Sequence, residues 1–474
     1  RFAPLFRTFW ENSCKNKVFV VRKEKMPRYY IKTYGCQMNL ADSENLAGVL
    51  TSAGYQEANS PEEADILLVN TCVVRQSAED KAAWYIMSAK GLRDNKPDLI
   101  IGVCGCLATE PDRDLPKQFP HVDLFIAPNQ PERLIEFLEL QAEGQRPKAR
   151  GKGVTAWITI MHGCDNFCSY CVVPHVRGRE TSRPIDEIIK EIKEIDFKKH
   201  PEIFLLGQNV NSYKYGLAQL LREVDALLEP TTKPFGKLRA APSEVEVRRG
   251  SRSEEPRRSV SGSERIRFMT SHPRDMSEEI INAVAELPHV CEFFHLPLQH
   301  GDDEMLKSMN RGYNTDYYLK LVDKIRAKIP GAAITSDVIV GYPGETDEQF
   351  QNTLKMIEKV GFDTSNTLAY STRPGTAASK LNDDVPDKVK QARLQEAMKV
   401  VGKVAESKNQ ELVGREVEIL VDFTGKKSCS GRTRTNKIVK FATARNNLLG
   451  KLVSVTIKSA KSWVLEGEII NGKF

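Results

Sequence analysis

The chain has 474 residues, of which 40% are hydrophobic and 28% charged, and it carries a formal net charge of +6. That length exceeds what one hydrophobic core organises, so about two to four domains are expected; the composition excludes a disordered chain, and no apolar run approaches the roughly 18–20 residues of a membrane span. Ten cysteines without a secretory signal exclude a disulfide scaffold and point to a reducing, cytoplasmic setting, where cysteines act as ligands or nucleophiles.

Residues 1–25 are basic and aromatic and read as an extension, with Met26-Pro27-Arg28 reading naturally as a start. A transit peptide would be Arg-rich and poor in acids, and Glu11 and Glu24 weaken that reading. From Tyr29 to about Leu140 strand and helix alternate. Apolar runs at Tyr29–Tyr34, Asp65–Val69, Leu99–Val103 and Val122–Ile126 predict buried strands, with helices near Ser43–Ser52, Ala78–Gly91 and Pro131–Leu140. This is the pattern of a doubly wound parallel sheet, expected over residues 26–147. Cys36, Cys72 and Cys106 each lie just past a strand end, and in a parallel sheet those ends share one ligand-binding edge. Three thiols distant in sequence are therefore expected to converge, whereas Cys104, still inside its strand, reads as packing.

A polar linker, Gln141–Lys152, leads to a strand at Val154–Ile160 that delivers Cys164-Asp165-Asn166-Phe167-Cys168-Ser169-Tyr170-Cys171. Thiols at spacing C-x3-C-x2-C can hold three corners of a 4Fe–4S cube and leave the fourth iron open, unlike a structural site with four cysteines. A zinc knuckle with His162 as fourth ligand is the alternative. The spacing, with aromatic Tyr170 before the last cysteine, resembles the radical S-adenosylmethionine (SAM) superfamily, in which the open iron binds SAM and the reduced cluster cleaves it to a 5′-deoxyadenosyl radical. Tyr170 is placed to cover that molecule. The rest of residues 148–410 reads as about six β/α repeats, a partial barrel, followed by a charged helical connector at Asp387–Gln410. Barrel sites gather at strand C-terminal ends, which makes Ser271, Gln299, Asp337 and Glu345 candidates for holding SAM. His300 follows Gln299 and has no evident role from sequence.

Thr231 to Arg265 is rich in Arg, Ser, Glu, Pro and Gly and reads as a disordered insertion, because it cannot bury enough surface to offset its ordering entropy. From Val413 short alternating strands predict a small closed β-barrel of OB-like type, with the domain taken as residues 411–474. This tail holds twelve Lys and Arg against six Asp and Glu, a surplus equal to the whole chain's +6. Lys426, Lys427, Arg432 and Arg434 cluster there, the footprint of an RNA-binding surface.

Taken together, these pieces resemble the radical SAM methylthiotransferase family, from Met26 to Glu468. The resemblance rests on Thr33-Tyr34-Gly35-Cys36-Gln37-Met38-Asn39, Asn70-Thr71-Cys72, Gly105-Cys106-Leu107-Ala108, the Cys164 loop with Arg177-Gly178-Arg179-Glu180, and Arg373-Pro374-Gly375-Thr376. The basic tail is similar to a TRAM domain. The motifs look most like the MiaB branch, which adds a methylthio group to C2 of N6-isopentenyladenosine next to the anticodon of tRNA. The resemblance implies two 4Fe–4S clusters, one on Cys164, Cys168 and Cys171 that generates the radical and one on Cys36, Cys72 and Cys106 that carries the inserted sulfur, with SAM also supplying the methyl group. It further implies tRNA, an electron donor such as flavodoxin or ferredoxin, and a sulfur donor as partners; a monomer without membrane association is expected. The threonylcarbamoyladenosine branch and a non-catalytic iron–sulfur RNA-binding sensor are the alternatives.

Overall fold

The computed structural model describes residues 26–74, 76–110, 113–128, 130–139, 153–228, 264–443, 445 and 447–470. The extension, the linker at Gln141–Lys152, and all but the last two residues of the Thr231–Arg265 insertion lie outside the described residues.

The chain begins with β1 (Arg28–Thr33), α1 (Gln37–Ser52), β2 (Gln56–Glu57), β3 (Ile66–Thr71), α2 (Gln76–Asn95), β4 (Ile100–Gly105), α3 (Leu115–Gln118), β5 (Leu124–Ile126) and α4 (Glu132–Phe137). The strands form one sheet in the order β2-β1-β3-β4-β5, parallel throughout. Both β3 and β4 are fully buried because helices cover both faces of the sheet. Ile66, Leu68, Ile100 and Cys104 point to the α1 face, and Leu67, Val69, Ile101 and Val103 to the α2 face. Cys104 is thus a packing residue, as its place inside the strand indicated.

The second unit comprises β6 (Thr155–Thr159), β7 (Met161–His162), α5 (Val173–Val176), β8 (Thr181–Ser182), α6 (Ile185–Lys193), β9 (Glu202–Leu206), α7 (Leu217–Leu228) and β10 (Arg265–Phe268). It continues through α8 (Glu278–Glu286), β11 (Phe293–His295), α9 (Asp303–Ser308), α10 (Thr315–Lys328), β12 (Ala333–Val340), α11 (Asp347–Val360), β13 (Thr364–Ala369) and α12 (Asp387–Gln410). Strands β6, β9 and β10 pair in parallel, as do β11, β12 and β13, and a parallel bridge between Ile266 and Val290 joins the two sets. The result is the expected open six-stranded β/α barrel. Helix starts are set by side-chain caps: Ser277, Asn314 and Thr346 each accept a backbone N–H, and Gln349 completes a capping box with Thr346. Trp157, Phe204, Leu206 and Met269 pack against Met38 and Ala41 of α1, so the first unit is seated on the β6–β9–β10 side of the barrel.

The third unit is a closed barrel in the order β14-β15-β16-β18-β17, from β14 (Glu416–Thr424), β15 (Ser428–Thr433), β16 (Ile438–Ala442), β17 (Leu452–Ala460) and β18 (Leu465–Ile469). It docks where the β/α barrel strands begin. Arg267 of β10 pairs with Glu202 at 2.6 Å and donates to the carbonyls of Thr433 and Arg434, both at 2.7 Å. Arg265 donates to the Arg432 carbonyl at 2.6 Å and meets Glu418 at 3.2 Å. Lys437 reaches Asp363, just ahead of β13, at 2.7 Å. Arg265 is therefore no part of an insertion: it is 1% exposed and opens a buried strand. Composition alone assigned it wrongly, because the carbonyl that holds it lies in another unit.

Candidate functional site

All described cysteines are free thiols. Cys36 occupies the N-cap position of α1, Cys72 follows β3 directly, and Cys106 opens the helical turn after β4. Gly105 makes that last turn with φ 88°, and a Cβ there would meet Asn70 Oδ1 and the Thr71 carbonyl at 2.4 Å. Asn39 and Asn70 knit the edge: Asn39 Nδ2 donates to Asn70 Oδ1 and the Thr71 carbonyl, and Asn70 Nδ2 to the Asn39 carbonyl and Ser43 Oγ. Cys36 and Cys72 hydrogen-bond each other, and Cys106 lies within electrostatic reach of both. A hydrogen bond with Cys72, reinforced by the Arg177 charge against the cost of burial, pushes Cys36 down to about 6. That same bond, with burial and the nearby Cys106, pushes Cys72 up. Burial also raises Cys106, against the opposing charge of Arg177.

The second cysteine loop leaves β7 through Gly163 (φ 73°), where a Cβ would strike the Arg179 carbonyl at 2.2 Å. Phe167 also takes a left-handed backbone (φ 47°), with the Arg179 guanidinium 5.1 Å from its ring centroid. Asp165 closes the loop by accepting from Arg179 Nε at 2.6 Å and from the Glu180 N–H. Cys164, Cys168 and Cys171 are half-buried, and burial pushes Cys171 up to about 12. Arg311, 3% exposed, donates to Cys168 Sγ at 3.1 Å and also to Tyr170 Oη and the Pro297 carbonyl. Sequence reasoning missed this residue, since nothing local links it to the loop. Tyr170 packs against Met305, Met309, Ile339, Tyr342, Tyr370 and Ala378.

The polar barrel residues divide. Ser271, just past β10, is buried with its Oγ unpartnered by protein, and neighbouring His272 likewise leaves Nε2 unpartnered. Burial beside Arg311 and Arg274 pushes His272 down to about 2, so the ring is neutral. Gln299 (φ 70°) pairs its backbone with β12 at Val338, and Asp337 accepts from Asn366 at 2.8 Å. Glu345 is spent on structure: its carboxylate accepts from Arg393 (2.8 Å), His300 Nε2 (2.8 Å) and the Gly341 N–H (2.5 Å). This also explains His300, which is wholly buried between Glu345 and Thr353.

On the C-terminal barrel, Lys426 and Lys427 are exposed at the tip of the β14–β15 hairpin. Arg432 pairs with Asp422 at 3.2 Å. Arg434 is turned inward: it grips Glu292 at 3.0 Å and the Val290 carbonyl at 2.6 Å, fastening this barrel to the β/α barrel.

Comparisons with known proteins agree with this layout. Residues 158–357 match the Radical SAM superfamily, residues 28–127 the Uncharacterized protein family UPF0004, and residues 410–470 the TRAM domain. A protein of Acetivibrio thermocellus called tRNA-2-methylthio-N(6)-dimethylallyladenosine synthase is 40% identical over 95% of this chain and 92% of its own length. Proteins of the same name from Caldicellulosiruptor saccharolyticus and Carboxydothermus hydrogenoformans are 42% and 41% identical, over 96% and 93% of this chain and 95% and 99% of theirs. Among solved structures, the radical S-adenosylmethionine methyltransferase TsrM from Kitasatospora setae, with cobalamin and a 4Fe–4S cluster bound, is similar in fold (TM-score 0.53, 14% identity, 75% of this chain and 77% of that one).

Proposed function

Because the chain belongs to the family of tRNA-2-methylthio-N(6)-dimethylallyladenosine synthases, we propose that it is a radical SAM methylthiotransferase acting on C2 of N6-isopentenyladenosine next to the anticodon of tRNA. The observation that carries this is the pairing of two separate sets of three free thiols, Cys36, Cys72 and Cys106 at one sheet edge and Cys164, Cys168 and Cys171 in one loop. Three thiols suit a 4Fe–4S cube with one open iron. Bound there with SAM, the two clusters supply the radical and the sulfur that acid–base chemistry cannot, since the C2–H bond is too inert.

The protein's own residues hold and orient. Arg311 fixes Cys168 and Tyr170, and the idle Ser271 Oγ and His272 Nε2–H are available to a polar ligand such as SAM. Gln299 and Asp337 remain candidates for the same ligand; Glu345, already saturated, does not. We assign residues 26–147 to the sulfur-carrying domain, 148–410 to the radical domain and 411–474 to the RNA-binding TRAM domain. A cytoplasmic monomer served by an electron donor such as flavodoxin or ferredoxin and by a sulfur donor completes the reading. Among the described residues no helix is long and apolar enough to cross a membrane.

Iron content tests the assignment. Anaerobically reconstituted protein should hold about eight irons, and the Cys164→Ala, Cys168→Ala, Cys171→Ala triple variant about half of that. Loss of all iron, or of none, would sink the two-cluster reading.

The TRAM barrel sits at the strand starts and the cysteine sites at the strand ends. The eight residues of β12 rise roughly 26 Å, so the RNA must be held as an extended stem while its loop base is splayed out. Lys426→Ala with Lys427→Ala should weaken tRNA binding and shrink the salt slope by up to about 0.9 per lost phosphate contact. Arg434→Ala should leave that slope unchanged, because its guanidinium is bonded to Glu292. Equal slopes for wild type and the lysine double variant would remove this hairpin from the RNA grip.

A further inference from the structure

Arg177 comes from the radical domain but ends inside the N-terminal thiol site. It caps the short helix α5, which directly follows the Cys171 loop, and Val172 and Val176 pack in one cluster with Cys106 and Leu107. Thr109, in the turn that Cys106 opens, donates its Oγ1–H to the Val176 carbonyl at 2.8 Å. The guanidinium is thereby fixed between two cysteine-bearing loops.

Its Nε–H donates to Cys106 Sγ at 3.3 Å and its Nη2–H to Asp42 at 2.7 Å, with the side chain only 3% exposed. Nη1 is buried and has no partner within the protein. A buried cation with idle donors is costly to keep unless something polar completes its hydrogen bonding. Around it lie the Cys106 and Cys36 thiols and the Asp42 carboxylate, so the groups nearest the idle Nη1–H are sulfur-bearing.

We propose that Arg177 is a positioning residue for the iron–sulfur group on Cys36, Cys72 and Cys106, bonding the Cys106 sulfur and offering Nη1–H to a further sulfur of that group. This rests on the two-cluster reading above. Hydrogen bonds to cluster sulfurs and a nearby positive charge favour the more negative, reduced state, so Arg177 raises the reduction potential of this cluster. A residue that merely straps the two domains together would not do so.

The test uses the full chain carrying Cys164→Ala, Cys168→Ala and Cys171→Ala, so that only the N-terminal cluster reports. It is reconstituted anaerobically and titrated by EPR. Arg177→Gln should retain iron and shift the midpoint to a more negative potential, and Arg177→Lys, which keeps the charge, should recover part of that shift. Because removing the guanidinium would leave Asp42 buried and unpaired, Arg177→Gln is also compared within an Asp42→Asn background, where it should again lower the potential. Equal midpoints with and without Arg177 in that background would overturn the inference, as would a variant that changes only the melting temperature. If the parent triple variant holds no iron at all, the two-cluster reading fails first, so the two failures are distinct.

Discussion

Replacing Cys36, Cys72 or Cys106 by alanine is expected to leave SAM cleavage to 5′-deoxyadenosine under reductant intact and to abolish methylthio product on isopentenylated tRNA. The separation follows from architecture. These thiols lie on a sheet edge of the first unit, whereas Cys164, Cys168 and Cys171 lie on a loop whose neighbours are Arg311, Asn310 and Met309 of the barrel. If these thiols hold a cluster as proposed, losing one of three ligands would leave an uncoordinated iron and a labile cluster, so the loss of product should be complete rather than graded. Cys104→Ala is the control. Its thiol lies against Leu68 and Ile100 in the core, where burial pushes it up and away from thiolate character. It should lose some stability, on the order of 1 kcal/mol for the small cavity, and keep product formation. Product from all three ligand variants would remove the N-terminal cluster as the sulfur source. Product from Cys106→Ala but not from Cys104→Ala would show that the wrong one of these two thiols had been chosen.

Arg267→Met should destabilise the junction between the two barrels by about 3–5 kcal/mol, because it leaves Glu202 buried and uncompensated and frees two buried carbonyls, those of Thr433 and Arg434. Arg267→Met with Glu202→Met should recover part of the loss, since removing both charges avoids the orphan. Acid provides an independent readout. Burial alone would raise Glu202, but Arg267, Thr155 and Arg265 hold its carboxyl below the ordinary range. A depressed folded-state pKa gives stability that is complete above the ordinary Glu value, about pH 4.3, and is lost as pH falls through the folded value. Wild-type melting temperature should therefore fall more steeply below about pH 4.3 than that of the double methionine variant. Parallel melting curves across that range would show that this pair contributes nothing to the acid response.

The two cysteine sets differ in how sequence exposes them. The Cys164 loop is a local pattern, and its spacing could be read directly as able to hold an iron–sulfur cube, with a zinc knuckle through His162 as the alternative. Cys36, Cys72 and Cys106 needed one further step, the rule that parallel strands end on one edge, and the alternation of apolar runs was clear enough to apply it. Connector helix α12 begins and ends at the residues anticipated, because Pro386 and the turn at Glu411 bound an uninterrupted helical stretch.

What sequence determined by itself was therefore everything set by local spacing or by strand and helix period: three units, two thiol triads, and a basic tail on a small barrel. Only the tertiary structure decided which charges are free to act. Arg434 looks like an RNA contact beside Lys426 and Lys427, yet its acceptor Glu292 lies 142 residues away. Glu345 looks like a SAM ligand at a strand end, yet Arg393, 48 residues on, has already claimed it. Arg177 stands in the sequence only as part of the Arg177-Gly178-Arg179-Glu180 stretch, yet it meets Asp42 and Cys106 across separations of 135 and 71 residues. The physical reason is the same in each case. A buried charge must find its partner, that partner is chosen by packing in space, and no window along the chain contains both.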